Sequence, residues 1–357
     1  MWGKNRFLDR VPVQHPIVQA PMIGPKPALA ASVSAAGGLG SLACAAMNPD
    51  AVRSEAAAIR ARTDAPFNLN FFCHVPETPD DEREAAWRSR LAPYYTELGL
   101  DPAAPIAMAQ RSPFDDAMLA VVAEVRPAVV SFHFGLPEAS LLDRVRALGC
   151  TILSSATTVR EARWLAERGV DAIIAQGSEA GGHRGLFLGS DPATQVGTMA
   201  LVPQVVDAVD VPVIAAGGIA DARGIAAAFM LGASAVQLGT AYLRCTEAGL
   251  SVPHREALRR ARDEDTTITN VLTGKPARGL VNRVIRELGP LCADAPVFPT
   301  AAIGLQPLRI EAERRGSGDF SPLWAGQGAP LARETEAGRL TVELAEGALR
   351  LLGGPRA

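Results

Sequence analysis

The chain has 357 residues, of which 48% are hydrophobic and 20% charged, and its net charge is −3. Such a composition suits a globular protein long enough for a barrel with insertions. It gives no footing for nucleic acid or an anionic membrane surface as partner, since both call for a strongly basic face.

The N-terminal stretch MWGKNRFLDRVPVQHP carries charges and no apolar core of signal-peptide length, so the expected compartment is the cytoplasm. Short apolar runs then alternate with amphipathic segments, the pattern of repeated βα units around a parallel sheet. Strands are predicted at Ile17–Ala20, Leu39–Ala43, Phe67–Phe71, Ala128–Phe132, Thr151–Ser154, Ala172–Ala175, Val213–Ala216 and Ala235–Leu238. Eight such units predict an α/β fold of the (β/α)8, TIM-barrel type rather than an open doubly wound sheet. Two helices stand out between them. Glu161–Gly169 ends on a glycine, and Ala222–Gly232 has Asp221 placed to cap its first turn. Two stretches exceed a minimal barrel. Residues 76–113 are charged and proline-rich, an insertion after strand 3, and residues 246–320 form a helix-rich cap after strand 8. The expected organisation is a barrel domain over 1–245, the cap over 246–320, and a return to the barrel over 321–357 with a closing helix at 334–353. No stretch approaches about 18 uninterrupted apolar residues, so no membrane span is expected. The five cysteines are odd in number and form no CxxC pair, which disfavours zinc ribbons and disulfide scaffolds. The five histidines make no HxH or HExxH arrangement, so no metal site is expected.

A barrel of this kind carries its active site on the loops after the strands. Strand 7 runs into Ala216-Gly217-Gly218-Ile219-Ala220-Asp221, and strand 8 into Gln237-Leu238-Gly239-Thr240. Glycines at these two turns let the backbone approach a ligand, and a following helix start offers free N–H groups to an anion. Together the loops predict phosphate binding, although either alone could simply be a tight turn. After strand 6 comes the glycine-rich Gln176-Gly177-Ser178-Glu179-Ala180-Gly181-Gly182-His183. His183 near its end is the predicted general base, because neutral imidazole takes a proton near neutral pH. His133 stands at the end of strand 4, either in the same pocket or as a satisfied core histidine. His74 is placed in the same way after strand 3, and His15 and His254 have no supporting context. On strand 3, Asn68 and Asn70 fall on one face by period two, and inward-facing amides need partners. Ala20-Pro21-Met22 after strand 1 offers a stiff turn and a polarisable thioether.

Val18-Gln19-Ala20-Pro21-Met22, Ala36-Gly37-Gly38-Leu39-Gly40, the run from Gln176 to His183, Ala215-Ala216-Gly217-Gly218-Ile219-Ala220-Asp221 and Gln237-Leu238-Gly239-Thr240 together resemble the nitronate monooxygenases, formerly called 2-nitropropane dioxygenases. Flavin-dependent enoyl-carrier-protein reductases share most of them. Thr273-Gly274-Lys275-Pro276-Ala277-Arg278-Gly279-Leu280-Val281-Asn282-Arg283 and Leu323-Trp324-Ala325-Gly326-Gln327-Gly328 look like class I of the monooxygenases in particular. The resemblance implies an FMN-dependent enzyme that oxidises alkyl nitronates, and nitroalkanes after proton removal, with dioxygen. It implies that Ala20, Pro21 and Met22 lie against the flavin and that Asn70 and Gln176 hydrogen-bond it. Gly181, Gly182, Gly217 and Gly218 would give backbone contacts, and Gln237, Leu238, Gly239 and Thr240 would hold the phosphate. Trp324 and Gln327 would complete the cofactor site. His183 would be the catalytic base, with His133 shaping the substrate pocket. The expected partners are a small nitronate and dioxygen, on a monomer or homodimer. Two other readings use the same barrel: an FMN-dependent NAD(P)H reductase of an enoyl thioester or quinone, and a phosphometabolite-binding barrel without redox chemistry.

Overall fold

A computed structural model describes residues 2–22, 24, 26–104 and 112–353; part of the predicted insertion, 105–111, lies outside the described residues. Eight parallel strands follow one another around a ring: β1 (Ile17–Gln19), β2 (Gly40–Ala43), β3 (Phe67–Phe72), β4 (Val129–His133), β5 (Thr151–Ala156), β6 (Ala172–Gln176), β7 (Val213–Ala216) and β8 (Ala235–Leu238). β1 pairs with β8, and a parallel bridge between Val18 and Leu39 brings β1 back to β2, so the fold is the predicted (β/α)8 barrel. All eight predicted strands are present, with ends differing by at most two residues.

Period two decides which side chains face where. On β7, Val213 and Ala215 pack outward against the helices, while Ile214 and Ala216 face the barrel interior. β8 divides likewise, with Val236 and Leu238 outward and Ala235 inward. Phe7 and Val11 join the inward set, so the N-terminal segment covers the apolar end of the barrel interior. Asp221 caps the helix Ala222–Met230 by accepting from the amides of Arg223 and Gly224, as its position predicts. The predicted helix at Glu161 begins earlier, at Val159, because Thr158 accepts from the Glu161 amide and caps it. The closing helix is Ala337–Leu351. None of the described helices is long and apolar enough to cross a membrane.

The stretches after β3 and after β8 build a second core together. The helix Asp81–Leu98 lies against the helix Thr300–Arg314, burying Trp87, Leu91, Tyr94 and Tyr95 against Leu305, Leu308 and Phe320. Close approach is possible because Gly304 faces Trp87 and Leu91, and its carbonyl accepts from Tyr95 Oη at 2.7 Å. The region after β8 also holds a hairpin absent from the sequence reading, Thr266–Thr269 with Ala277–Leu280. Its second strand pairs with Gly182–His183 in the loop after β6, which ties the cap to the barrel mouth.

Candidate active site

A cavity opens where the strands end. Its wall is made by residues at the C-terminal ends of β2 to β8 and just beyond β1: Ala20, Ala43, Asn70, Phe72, His133, Ser155, Gln176, Ala216 and Gln237 among them. Loop residues complete it, and the return segment at Trp324–Gly326 closes one side. The structure brings together His183, His133, Ala20, Pro21, Met22, Asn70, Gln176, Gly181, Gly182, Gly217, Gly218, Gln237, Gly239, Thr240 and Trp324 around this space. Leu238 and Gln327 stand apart. Leu238 falls on the outward face of β8 by period two and is buried among the barrel helices. The Gln327 side chain is exposed, and its amide donates to the Glu179 carbonyl at 3.0 Å.

His183 is 8% exposed and sits among aromatic edges, with Phe298 and Trp324 both centred 5.5 Å from its ring. Its backbone is held as tightly as its ring. The His183 carbonyl accepts from Gln176 Nε2 at 3.0 Å and from His133 Nε2 at 3.2 Å. Gln176 also accepts the Gly185 amide at 2.8 Å, so one side chain braces both ends of the turn. Because a carbonyl only accepts, His133 carries its proton on Nε2, and its Nδ1 accepts from Ser155 Oγ at 2.5 Å. Burial pushes His133 down to about 4, against a weaker pull upward from the His183 carbonyl, so the ring is neutral near pH 7. The next residue, Phe134, adopts φ +67°, which bulky side chains avoid, and its ring lies 4.5 Å from that of His133.

Inside the barrel the strand-3 amides make a ladder. Asn68 Nδ2 donates to Ser41 Oγ and Ser131 Oγ, and Asn70 Nδ2 donates to Ser131 Oγ at 2.9 Å and to its carbonyl at 3.2 Å. Asn68 is thus a barrel-interior residue, while Asn70 reaches the cavity.

The glycines are where the backbone must come close. A Cβ on Gly181 would lie 2.5 Å from the Gly326 nitrogen, and one on Gly326 would lie 2.6 Å from the Glu179 carbonyl. Gly217 and Gly218 take φ +121° and +69°, and a Cβ on Gly217 would strike Thr198 Oγ at 2.7 Å. Thr240 Oγ accepts the Gly326 amide at 2.8 Å, joining the loop after β8 to the return segment. Gln237 Oε1 is buried, borders the cavity and has no hydrogen-bond partner among the described residues. A buried acceptor of this kind needs a donor, and a bound polar ligand is a natural one. Together these features form a cradle fit for a flat, phosphate-bearing group.

Three members of the site escaped the sequence reading. His254, from the helix Val252–Arg260, lines the cavity and donates from Nε2 to the Trp324 carbonyl at 3.1 Å; burial pushes it down to about 4. Ser155 lies one residue past the predicted end of strand 5. Glu179 accepts the Thr198 amide and hydroxyl, fixing the loop after β6 to the helix Thr198–Val206. Only Ser155 had a local signal, since a longer strand 5 would have placed it at the mouth.

A family model described as nitronate monooxygenase matches residues 4–347. A nitronate monooxygenase of Pseudomonas aeruginosa is 43% identical over 345 residues, covering 96% of this chain and 98% of its own. One from Paraburkholderia phytofirmans is 44% identical over 346 residues, with 96% and 94% covered. Among solved structures, a nitroalkane oxidase from Streptomyces ansochromogenes superposes with a TM-score of 0.88 at 41% identity, over 97% of this chain and 99% of that one. FabK from Thermotoga maritima superposes with a TM-score of 0.74 at 29% identity, over 98% and 97%.

Proposed function

The chain belongs to the nitronate monooxygenase family of oxidoreductases, and from that premise we propose that it oxidises alkyl nitronates at the barrel mouth, with FMN as cofactor and dioxygen as electron acceptor. The observation that carries the reading is a buried histidine, His183, in the wall of a glycine-lined cavity that also holds a buried acceptor, Gln237 Oε1, with no partner among the described residues. Gly217, Gly218, Gln237, Gly239 and Thr240 are the residues that would hold the phosphate end of FMN, with Leu238 contributing only main chain. Ala20, Pro21, Met22, Gly181, Gly182 and Trp324 would lie along the ring. Asn70 and the second N–H of Gln176 would give polar contacts, and Gln327 would act through the backbone tie it makes. Bound FMN would supply the electron transfer between substrate and dioxygen.

The chain's own work is to position and to move a proton. A nitronate arrives already ionised and needs only orientation. A neutral nitroalkane must first lose its α-proton, and His183 would take it. Gln176 and His133 hold the His183 carbonyl, so the imidazole approaches from a fixed backbone. The rings of Phe72, Phe298 and Trp324 limit water around it.

The test is the visible spectrum of the purified protein, followed by anaerobic mixing with an alkyl nitronate and, separately, with NADH. Flavin bands that bleach with the nitronate and not with NADH support the proposal. Bleaching with NADH alone would transfer the assignment to a reductase, and a protein with no flavin band and no affinity for added FMN would overturn it.

A further inference from the structure

The block Thr273–Arg283 carries part of the family resemblance without lining the cavity. Its first residue reaches the ring of His183. Thr273 is 3% exposed and lies in the turn of the cap hairpin, between Thr266–Thr269 and Ala277–Leu280. Its Oγ stands 3.0 Å from His183 Nε2 and 3.3 Å from the carbonyl oxygen of Lys275. A hydroxyl has one proton, and a carbonyl can only accept it. With that proton directed to Lys275, Thr273 Oγ accepts from the imidazole. That arrangement requires the imidazole proton on Nε2.

Resting on the reading of His183 as the base, we propose that Thr273 is a positioning residue that fixes the Nε2–H tautomer of His183 and so makes Nδ1 the nitrogen that receives the substrate proton. In that step the Cα–H bond of the nitroalkane breaks and its proton joins Nδ1. The electron pair enters a C=N bond, and the negative charge settles on the nitro oxygens. The Nε2–H bond to Thr273 persists throughout and strengthens as the ring becomes cationic.

The geometry around Thr273 is built to keep this distance. The main chain of His183 pairs with Ala277 of the same hairpin, so ring and hydroxyl belong to hydrogen-bonded neighbours. Asn270 grips the Cys292 main chain through both its Nδ2 and Oδ1, at 2.9 and 2.8 Å, and its carbonyl accepts the Gly274 amide at 2.7 Å. Gly274 takes φ +93°, and a Cβ there would lie 2.3 Å from the Pro296 carbonyl, so the turn closes only with glycine. Across the mouth, Lys275 Nζ pairs with Glu77 at 3.5 Å, holding the hairpin tip to the loop after β3.

The experiment reads the tautomer directly. The purified protein, labelled with 15N in its histidine rings, is compared with Thr273→Val and Thr273→Ser, and His183→Asn assigns the signals. Wild type and Thr273→Ser are expected to show His183 protonated on Nε2, and Thr273→Val a mixture of tautomers. In turnover, Thr273→Val should lose about 10- to 100-fold in kcat/KM for nitroethane, the scale of impaired general-base catalysis. Thr273→Ser should recover most of it, and turnover of the preformed nitronate should stay within about twofold in both. A His183 ring protonated on Nδ1 in the wild type would overturn the proposal, and that spectrum decides even if the valine variant does not fold. So would a folded Thr273→Val with wild-type tautomer and wild-type nitroethane turnover. Absence of nitronate turnover in the wild type would instead sink the functional reading, while the ring spectrum still decides the tautomer.

Discussion

Gly181→Ala tests whether the proposed cofactor wall depends on one backbone lying directly on another. Gly181 has an ordinary φ, so alanine brings no conformational strain there. Its Cβ would lie 2.5 Å from the Gly326 nitrogen and 2.6 Å from the Ala325 carbonyl carbon. Optimal carbon contacts are near 3.5–4.0 Å, so the overlap is about 1 Å, and main-chain atoms cannot rotate away from it. The return segment must therefore back off from the loop after β6. That motion pulls on the Gly326 amide bond to Thr240 Oγ and on the Gln327 amide bond to Glu179, at 2.8 and 3.0 Å. Overpacking of this kind costs about 1–3 kcal/mol. If the cost falls on the cavity wall, FMN affinity drops by roughly 5- to 150-fold, at about 1.4 kcal/mol per decade. The assay is titration of the apoprotein with FMN, followed by quenching of flavin fluorescence. Gly189→Ala is the control, because the nearest atom to its Cβ would be Arg160 Nη2 at a comfortable 3.6 Å. FMN affinity within about threefold of wild type in Gly181→Ala, with an unchanged melting temperature, would refute the reasoning.

Three further predictions follow from the same geometry. His183→Asn should lower nitroalkane turnover by about 10²- to 10⁴-fold while keeping much of the nitronate turnover, and equal loss on both substrates in steady-state kinetics would remove the base role. Acid should destabilise the fold between about pH 6.5 and 4 through His133 and His254, whose folded values lie near 4 against an ordinary 6.5. In that window the unfolded chain binds protons that the folded rings refuse, so stability falls with pH, by at most about 3 kcal/mol per histidine. Urea unfolding at pH 7, 6 and 5 measures the slope, and a His133→Gln variant as steep as wild type would contradict its assignment. Gly40→Ala should cost about 3 kcal/mol or more, because its Cβ would fall 2.0 Å from the Ala30 carbonyl where β2 crosses the helix Pro27–Ala35. A urea midpoint close to wild type would show that helix and strand part more easily than their packing implies.

The barrel was legible because its signals are local. Each strand is a short apolar run, and period two carries Asn70, Gln176 and Gln237 to the inner face at a strand's end. The same rule turns Leu238 outward, although it sits in the middle of the block Gln237-Leu238-Gly239-Thr240. The cap hairpin was not legible. Thr266-Thr267-Ile268-Thr269 is too short for its alternation to stand out, and its partner strand Ala277-Arg278-Gly279-Leu280 is interrupted by a charge and a glycine. Nor could the sequence show that the stretches after strands 3 and 8 share a core, since the pairing of Trp87 with Ala301 and of Tyr95 with Gly304 spans the whole barrel.

The site shows the same division between local and distant information. That a histidine ends a glycine-rich loop is written in eight consecutive residues, Gln176 to His183. What that histidine can do depends on partners far along the chain. Thr273 lies 90 residues away, and His133, which holds the His183 carbonyl, lies 50 residues before it. Neither contact leaves a periodic or compositional trace. A motif therefore names the group that can carry a proton, while its tautomer and its aim are fixed by tertiary contacts. On the proposed reading a cap outside the minimal barrel belongs to the chemistry, because its Thr273 hydroxyl would orient the base, so changes in the cap hairpin should move nitroalkane turnover before they move cofactor binding.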